Sequence, residues 1–185
     1  MPRQPVCLHI AGKSPLKGTE PLVALWRRHP EWPRLVVVQP SGRSAQPAAP
    51  NIEFHLEYLG DAELRRLQNA CMFHLCPSEA EGWGHYIVEA MSTGAVVVTV
   101  DAAPMNELIG ADRGLLVRHQ PTVPTQNLGQ RFLFDDASLA NAVTTAMQMP
   151  ADTRERLGQA ARGWFLANRS AFAGRIAQAL KASSG

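Results

Sequence analysis

PSEAEGWGHYIVEAMSTG, Pro77 to Gly94, is the stretch from which the rest of the chain is read. It follows a short apolar run, turns through Gly82 and Gly84, and continues as a helix over residues 85–92. A strand that passes through glycines into a helix is a phosphate-site architecture. Glycine lets backbone approach a ligand closely, and the unsatisfied N–H groups of the first helical turn, at the positive end of the dipole, favour an anion. Glu81 stands before the turn and Glu89 inside the helix, with seven residues between them. One carboxylate can therefore sit on each side of a ligand whose phosphates lie at the helix start. Two plainer readings stay open on these residues alone. The turn can be a tight strand-to-helix connection, and the glutamates can be solvated charges that favour the dipole.

Working outward, short β-branched runs alternate with longer helical patterns, which is the signature of a parallel sheet covered by helices on both faces. The expected class is α/β, a Rossmann-like doubly wound sheet with a helical C-terminal tail. Strands are expected at residues 6–10, 35–39, 52–56, 72–75, 96–100 and 114–117, several of them apolar throughout, as strands buried on both faces should be. Thr19 can cap a helix over residues 20–29, and Asp61 can cap one reaching residue 70. Residues 39–51 carry three prolines and read as a surface loop, and 120–134 shows no clear periodicity. Beyond Asp136 the pattern is helical, with helices at 137–147, 152–167 and 171–182 and a break at Pro150. The 185 residues are read as one domain, with 151–185 as its C-terminal helical segment.

Composition narrows the function. Eighteen Lys and Arg against sixteen Asp and Glu give +2 without a basic tract, so generic nucleic-acid binding has little support. No apolar run approaches the roughly 20 residues of a membrane span. Three cysteines and an N-terminus without the apolar core of a signal peptide are read as a cytoplasmic location. Cys71, His74 and Cys76 stand close enough to suggest a metal site. They lack a C-x-x-C or a second ligand pair, with Cys71 placed outside the strand that holds the other two, so no metal is assigned. Gly12-Lys13-Ser14 is not a P-loop, because Cys7 stands where that motif needs glycine, and Ile87 stands where a dinucleotide fingerprint needs its third glycine.

The segment Glu81 to Glu89 resembles the E-x7-E motif of retaining GT-B glycosyltransferases of the family 4 type, written E-G-F-G followed by L-E-A-x-A-x-G. The resemblance continues in order. Pro77-Ser78 is similar to the family's P-S, Leu59 to Leu64 to its G-x-x-x-x-E-L region, and Asn106 to Ile109 with Gly114 to Val117 to its p-E-l-i and G-l-L-v. Gly12 to Gly18 resembles G-R-x-x-x-x-K-G, with Lys13 in the place of the usual arginine and a shorter distance to Lys17.

The resemblance implies the donor-binding half of a two-domain enzyme that moves a hexose from a nucleoside-diphosphate sugar to a hydroxyl with retention at the anomeric carbon. In that scheme Lys17 and Lys13 neutralise the diphosphate, Glu81 contacts the donor sugar and Glu89 accepts hydrogen bonds from the ribose. Gly82, Trp83, Gly84, His85 and Glu107 belong to the donor site, with Trp83 expected to pack. No metal or other cofactor is required, because lysines and a helix terminus stabilise the leaving diphosphate. The partner would be an N-terminal acceptor domain, missing or on a separate chain. Without it the domain should be inactive, and any membrane association would be peripheral, through that domain. The alternatives are a non-catalytic nucleotide-binding or scaffolding module of the same fold, and a GT-B-like nucleotide-sugar epimerase.

Overall fold

The computed structural model describes residues 3–39, 49–124 and 129–182. Six parallel strands form the main sheet: β1 (Gln4–Ile10), β2 (Leu35–Val38), β3 (Ile52–His55), β4 (Cys71–Cys76), β5 (Val96–Val100) and β6 (Leu115–Val117). Their spatial order is β3-β2-β1-β4-β5-β6. The chain thus builds outward from β1 to one edge, returns to lay β4 beside β1, and builds outward to the other edge. Between β1 and β4 the connections diverge, and in open α/β sheets the crevice outside the carboxyl ends at such a point is where ligands bind. The doubly wound α/β fold expected from the sequence is the one observed.

Burial explains why these runs are strands. All five residues of β5 are buried, and β1 buries Val6, Cys7, Leu8 and His9. The helices are α1 (Thr19–Arg27), α2 (Asp61–Ala70), α3 (His85–Thr93), α4 (Met105–Leu108), α5 (Asp136–Gln148) and α6 (Ala151–Ala182). In α1, Leu22, Val23, Leu25 and Trp26 point into the core, and the Trp26 indole N–H donates to Pro33 O at 2.9 Å. No helix among the described residues is long and apolar enough to cross a membrane.

Several expectations need correction. Thr19 and Asp61 do not cap their helices; each is the first helical residue, and Gly18 and Gly60 hold the cap positions. Cys71 opens β4 rather than standing outside it. Residues 120–134 are not wholly irregular, since β7 (Val123–Pro124) pairs antiparallel with β8 (Gln130–Arg131) and His119 bridges to Phe134. The two terminal helices are one, α6, which runs unbroken through Asn168-Arg169-Ser170 because no proline or glycine interrupts its ladder there. Most of the Pro-rich loop, residues 40–48, lies outside the described residues.

Candidate functional site at the carboxyl ends of β1 and β4

The loops that leave β1 and β4 are fastened to each other. After β1, Ser14 Oγ accepts from Leu16 N–H at 3.2 Å and starts a single 3-10 turn, Pro15–Lys17. Gly18 ends that turn at φ +67, and a Cβ there would stand 2.2 Å from Pro77 O, so only glycine lets this backbone lie against the loop after β4. Glu79 N–H donates to Leu16 O at 2.8 Å and closes the same contact. Beneath it, buried His9 meets Leu75 O at 2.9 Å through Nδ1 and Thr19 Oγ1 at 2.8 Å through Nε2. Burial, with the Lys17 charge adding to it, pushes His9 down to about 4. A neutral ring fits both contacts, donating to the carbonyl and accepting from the hydroxyl.

At the mouth of this junction Lys17 and Glu81 form an ion pair, with 18% and 10% of their side-chain surfaces exposed. Lys17 Nζ also lies 3.9 Å from the Tyr86 ring centroid, a cation–π contact. Ser78 Oγ donates to Glu81 Oε1 at 2.6 Å. The buried Tyr86 hydroxyl lies 2.6 Å from Ser78 Oγ and, with the serine proton committed to Glu81, acts as the donor. Burial raises the Tyr86 hydroxyl well above its ordinary range, which keeps it a neutral donor. Glu81 is therefore a carboxylate fixed from two sides, and Lys17 a cation whose direction is set.

The helix behind the knot begins at Gly84, φ +84, with no side-chain cap. A Cβ on Gly84 would come 2.8 Å from Leu108 Cδ1, so the turn rests on α4, the helix that carries Glu107. Glu107 is itself exposed. Glu89 is also exposed, and its one side-chain hydrogen bond among the described residues is long, from Gln68 Nε2 at 3.4 Å. It borders a polar recess of about 500 Å³ with Asp61, Gln68, Asn69 and Arg162. Lys13 is exposed and lines a different recess of about 300 Å³ with Ile10, Val38, Leu59 and Leu64. The structure thus brings Lys17, Glu81 and the Gly84 turn into contact, whereas Lys13, Glu89 and Glu107 stand around them.

His85, at the first position of α3, is exposed. Gly82 is exposed too, with open space where a Cβ would be. Trp83 does not pack as expected; it is 48% exposed, because the turn that holds it bulges out between Glu81 and Gly84.

Sequence reasoning missed one buried acid inside the very stretch it quoted. Glu79 accepts from Arg131 through Nε at 2.7 Å and also through Nη2, and Phe132 N–H donates to Glu79 O at 2.8 Å. Both donors meet the one oxygen, Glu79 Oε2, and this ion pair ties the loop after β4 to β8. Ser78 and Tyr86 were likewise unassigned, although Pro77-Ser78 was a visible signal. His74, buried on β4, meets Gln68 O at 2.9 Å through Nε2 and is pushed down to about 4 by burial. Burial pushes the Cys71 thiol up to about 11 and the Cys76 thiol higher still. Among the described residues no three His, Cys, Asp or Glu side chains form a group that could hold a metal ion.

Several solved structures share this fold. HepE from Anabaena in complex with UDP-glucose is 20% identical at a TM-score of 0.71, over 97% of this chain and 49% of its own. A UDP-forming α,α-trehalose-phosphate synthase from Burkholderia vietnamiensis is 16% identical at 0.73, over 99% of this chain and 46% of its own. The C-terminal domain of LpcC from Francisella tularensis, a glycosyl transferase group 1 family protein, is 18% identical at 0.67, over 90% of this chain and 87% of its own. The chain thus spans about half the length of the first two. At these identities the likeness shows the fold, and no curated protein matches in sequence. The family profile described as glycosyl transferases group 1 matches residues 45–164, well over half of the sequence and including Glu81, Gly84, Glu89 and Glu107, and the chain belongs to that family.

Proposed function

We propose that this chain is the donor-binding half of a retaining glycosyltransferase, one that moves a hexose from a nucleoside-diphosphate sugar to a hydroxyl acceptor. The observation that carries the reading is the fixed cluster of Lys17, Glu81, Ser78 and Tyr86 at the start of an uncapped helix, with Glu89 exposed on that same helix beside an open recess. The diphosphate would lie across Lys17 and the first turn of α3, where a directed ammonium and unpaired backbone N–H groups meet it. Lys13, across the neighbouring recess, would add positive charge without the bidentate fork of an arginine. Glu89 would accept hydrogen bonds from the ribose hydroxyls. Glu81, already oriented by Lys17 and Ser78, would contact the donor sugar, and Trp83, His85 and Glu107 would border it.

Leaving-group charge would be met by Lys17 and the helix terminus, so the chemistry assigned here calls for no divalent cation. The acceptor would come from a second domain that faces this site. The exposed Leu166, Phe172 and Ile176 on the second half of α6 support a further packing partner. A calorimetric titration of the chain with UDP, GDP and ADP tests the reading. One of them should bind at one site, more weakly as salt is raised, while the isolated chain transfers no sugar to an added acceptor. Absence of binding by all three would refute the donor-site assignment, and robust transfer by the chain alone would refute the half-enzyme assignment.

A further inference from the structure

At the other end of the sheet, where β1 and β4 begin, α3 ends and α6 starts, lies a third recess, of about 680 Å³. Arg3, Arg154 and Arg162 line it, and Glu155 is its one carboxylate. Glu155 is engaged on its own helix, accepting from Gln159 Nε2 at 2.9 Å. The ion pairs among the described residues involve none of the three arginines. Arg3 spends one arm on the end of α3, donating from Nη2 to Thr93 O. Its Nη1 is shielded from solvent and meets no acceptor among the described residues. Burial and the charge of Arg162 both lower the Arg3 pKa, the mark of cations crowded without an anion between them.

Three like charges around one recess are costly to keep together, and an anion among them would offset their repulsion. We propose that this recess binds a small phosphate-bearing anion, held by the guanidiniums of Arg3, Arg154 and Arg162. Three guanidiniums against one carboxylate leave two positive charges, which fits a dianionic phosphate better than a monoanionic carboxylate. Guanidinium forks match phosphate oxygens in pairs. The placement of the recess between the sheet end, the end of α3 and the start of α6 favours a free anion over the headgroups of a bilayer surface. The recess lies at the opposite end of the sheet from Lys17 and Glu81, although Arg162 and Thr93 also line the recess that Glu89 borders, and the proposal does not depend on the donor-site assignment.

Calorimetric titration with inorganic phosphate, at ionic strength matched with chloride, tests it. Wild type should bind one phosphate here, and Lys17→Ala should retain it. The exposed position of Arg162 makes Arg162→Gln a mild change for the fold, and Arg154→Gln/Arg162→Gln should weaken phosphate at least 10-fold while the melting temperature in chloride is at or above that of wild type. No phosphate binding by wild type would overturn the site. So would unchanged affinity in the double arginine variant, or loss of binding in Lys17→Ala alone, which would place the anion at the donor loops. A protein that ignored phosphate but sedimented with phosphatidic acid vesicles in an Arg162-dependent way would overturn the free-anion assignment.

Discussion

Glu81 and Glu89 flank the same glycine turn and belong to the same spacing, yet the fold treats them differently. Glu81 is almost enclosed, paired with Lys17 and bonded by Ser78. Glu89 is exposed on α3, with a single long hydrogen bond among the described residues, from Gln68. A solvated pair of helix-start charges would show two similar environments. The difference teaches that one carboxylate is set before any ligand arrives, whereas the other is left free to accept hydrogen bonds. The burial that fixes Glu81 comes from elements distant in sequence, chiefly the turn after β1.

The largest effect is expected where the two loops touch. Gly18→Ala places a Cβ 2.2 Å from Pro77 O at a positive φ, so the turn carrying Lys17 must shift away from the loop carrying Glu81. Strain and overpacking together should cost about 3 kcal/mol or more, read as a lower midpoint in urea unfolding with unchanged slope. An unchanged midpoint would show that the contact does not hold Glu81 in place.

Acid should act next, through His9 beneath the Lys17–Glu81 pair and His74 beside Gln68. His9 and His74 have folded-state values near 4 against 6.5 for a free histidine. Below pH 6.5 the unfolded chain takes up the protons first, so the stability from these neutral rings is fully present above about 6.5 and is lost as pH falls towards 4. The linkage is worth about 3 kcal/mol for each ring. His9→Gln should flatten part of that slope. A stability profile level between pH 7 and 4.5 would contradict the buried neutral assignment.

Lys17→Ala removes the partner of an enclosed carboxylate, and should cost about 2 kcal/mol in stability while weakening a nucleoside diphosphate about 10-fold. Adding Glu81→Ala should restore part of the stability but none of the affinity, because the double change removes the orphaned charge and not the missing cation. Full additivity of the two changes would dissolve the pair. The smallest effect is expected for Tyr86→Phe, which takes one hydrogen bond from Ser78 and leaves Glu81 its serine donor and its lysine. About 1 kcal/mol of stability should be lost with little change in affinity.

Much of this arrangement was legible in the sequence. The six strands fall within two residues of their expected ends because β-branched runs buried on both faces carry little ambiguity, as Val96–Val100 illustrates. The caps were harder. Thr19 has the right chemistry for an N-cap, but its hydroxyl is taken by His9, a partner set by the sheet. Asn168 and Ser170 look like turn residues, yet they bond within α6, Ser170 Oγ to Ala167 O at 3.5 Å and Asn168 to Arg175, and the helix continues. At the site, the position of Glu81 before the turn and of Glu89 inside the helix was legible from spacing. The burial of Glu79 was not, because its partner Arg131 is 52 residues away in a segment without periodicity. The exposure of Trp83 was not legible either, since aromatic residues between glycines pack in one turn geometry and bulge out in another.

The contrast between the two glutamates is tested most directly by titrating wild type, Glu89→Ala and Glu81→Ala with a nucleoside diphosphate and with the corresponding nucleotide sugar. Hydrogen bonds to a charged group are worth about 1.5 to 3 kcal/mol, so Glu89→Ala should weaken the bare diphosphate roughly 10- to 100-fold. Glu81→Ala should leave the bare diphosphate nearly unchanged and weaken mainly the intact nucleotide sugar. Equal small effects of both substitutions on both ligands would contradict the account and return the pair to ordinary helix-start charges.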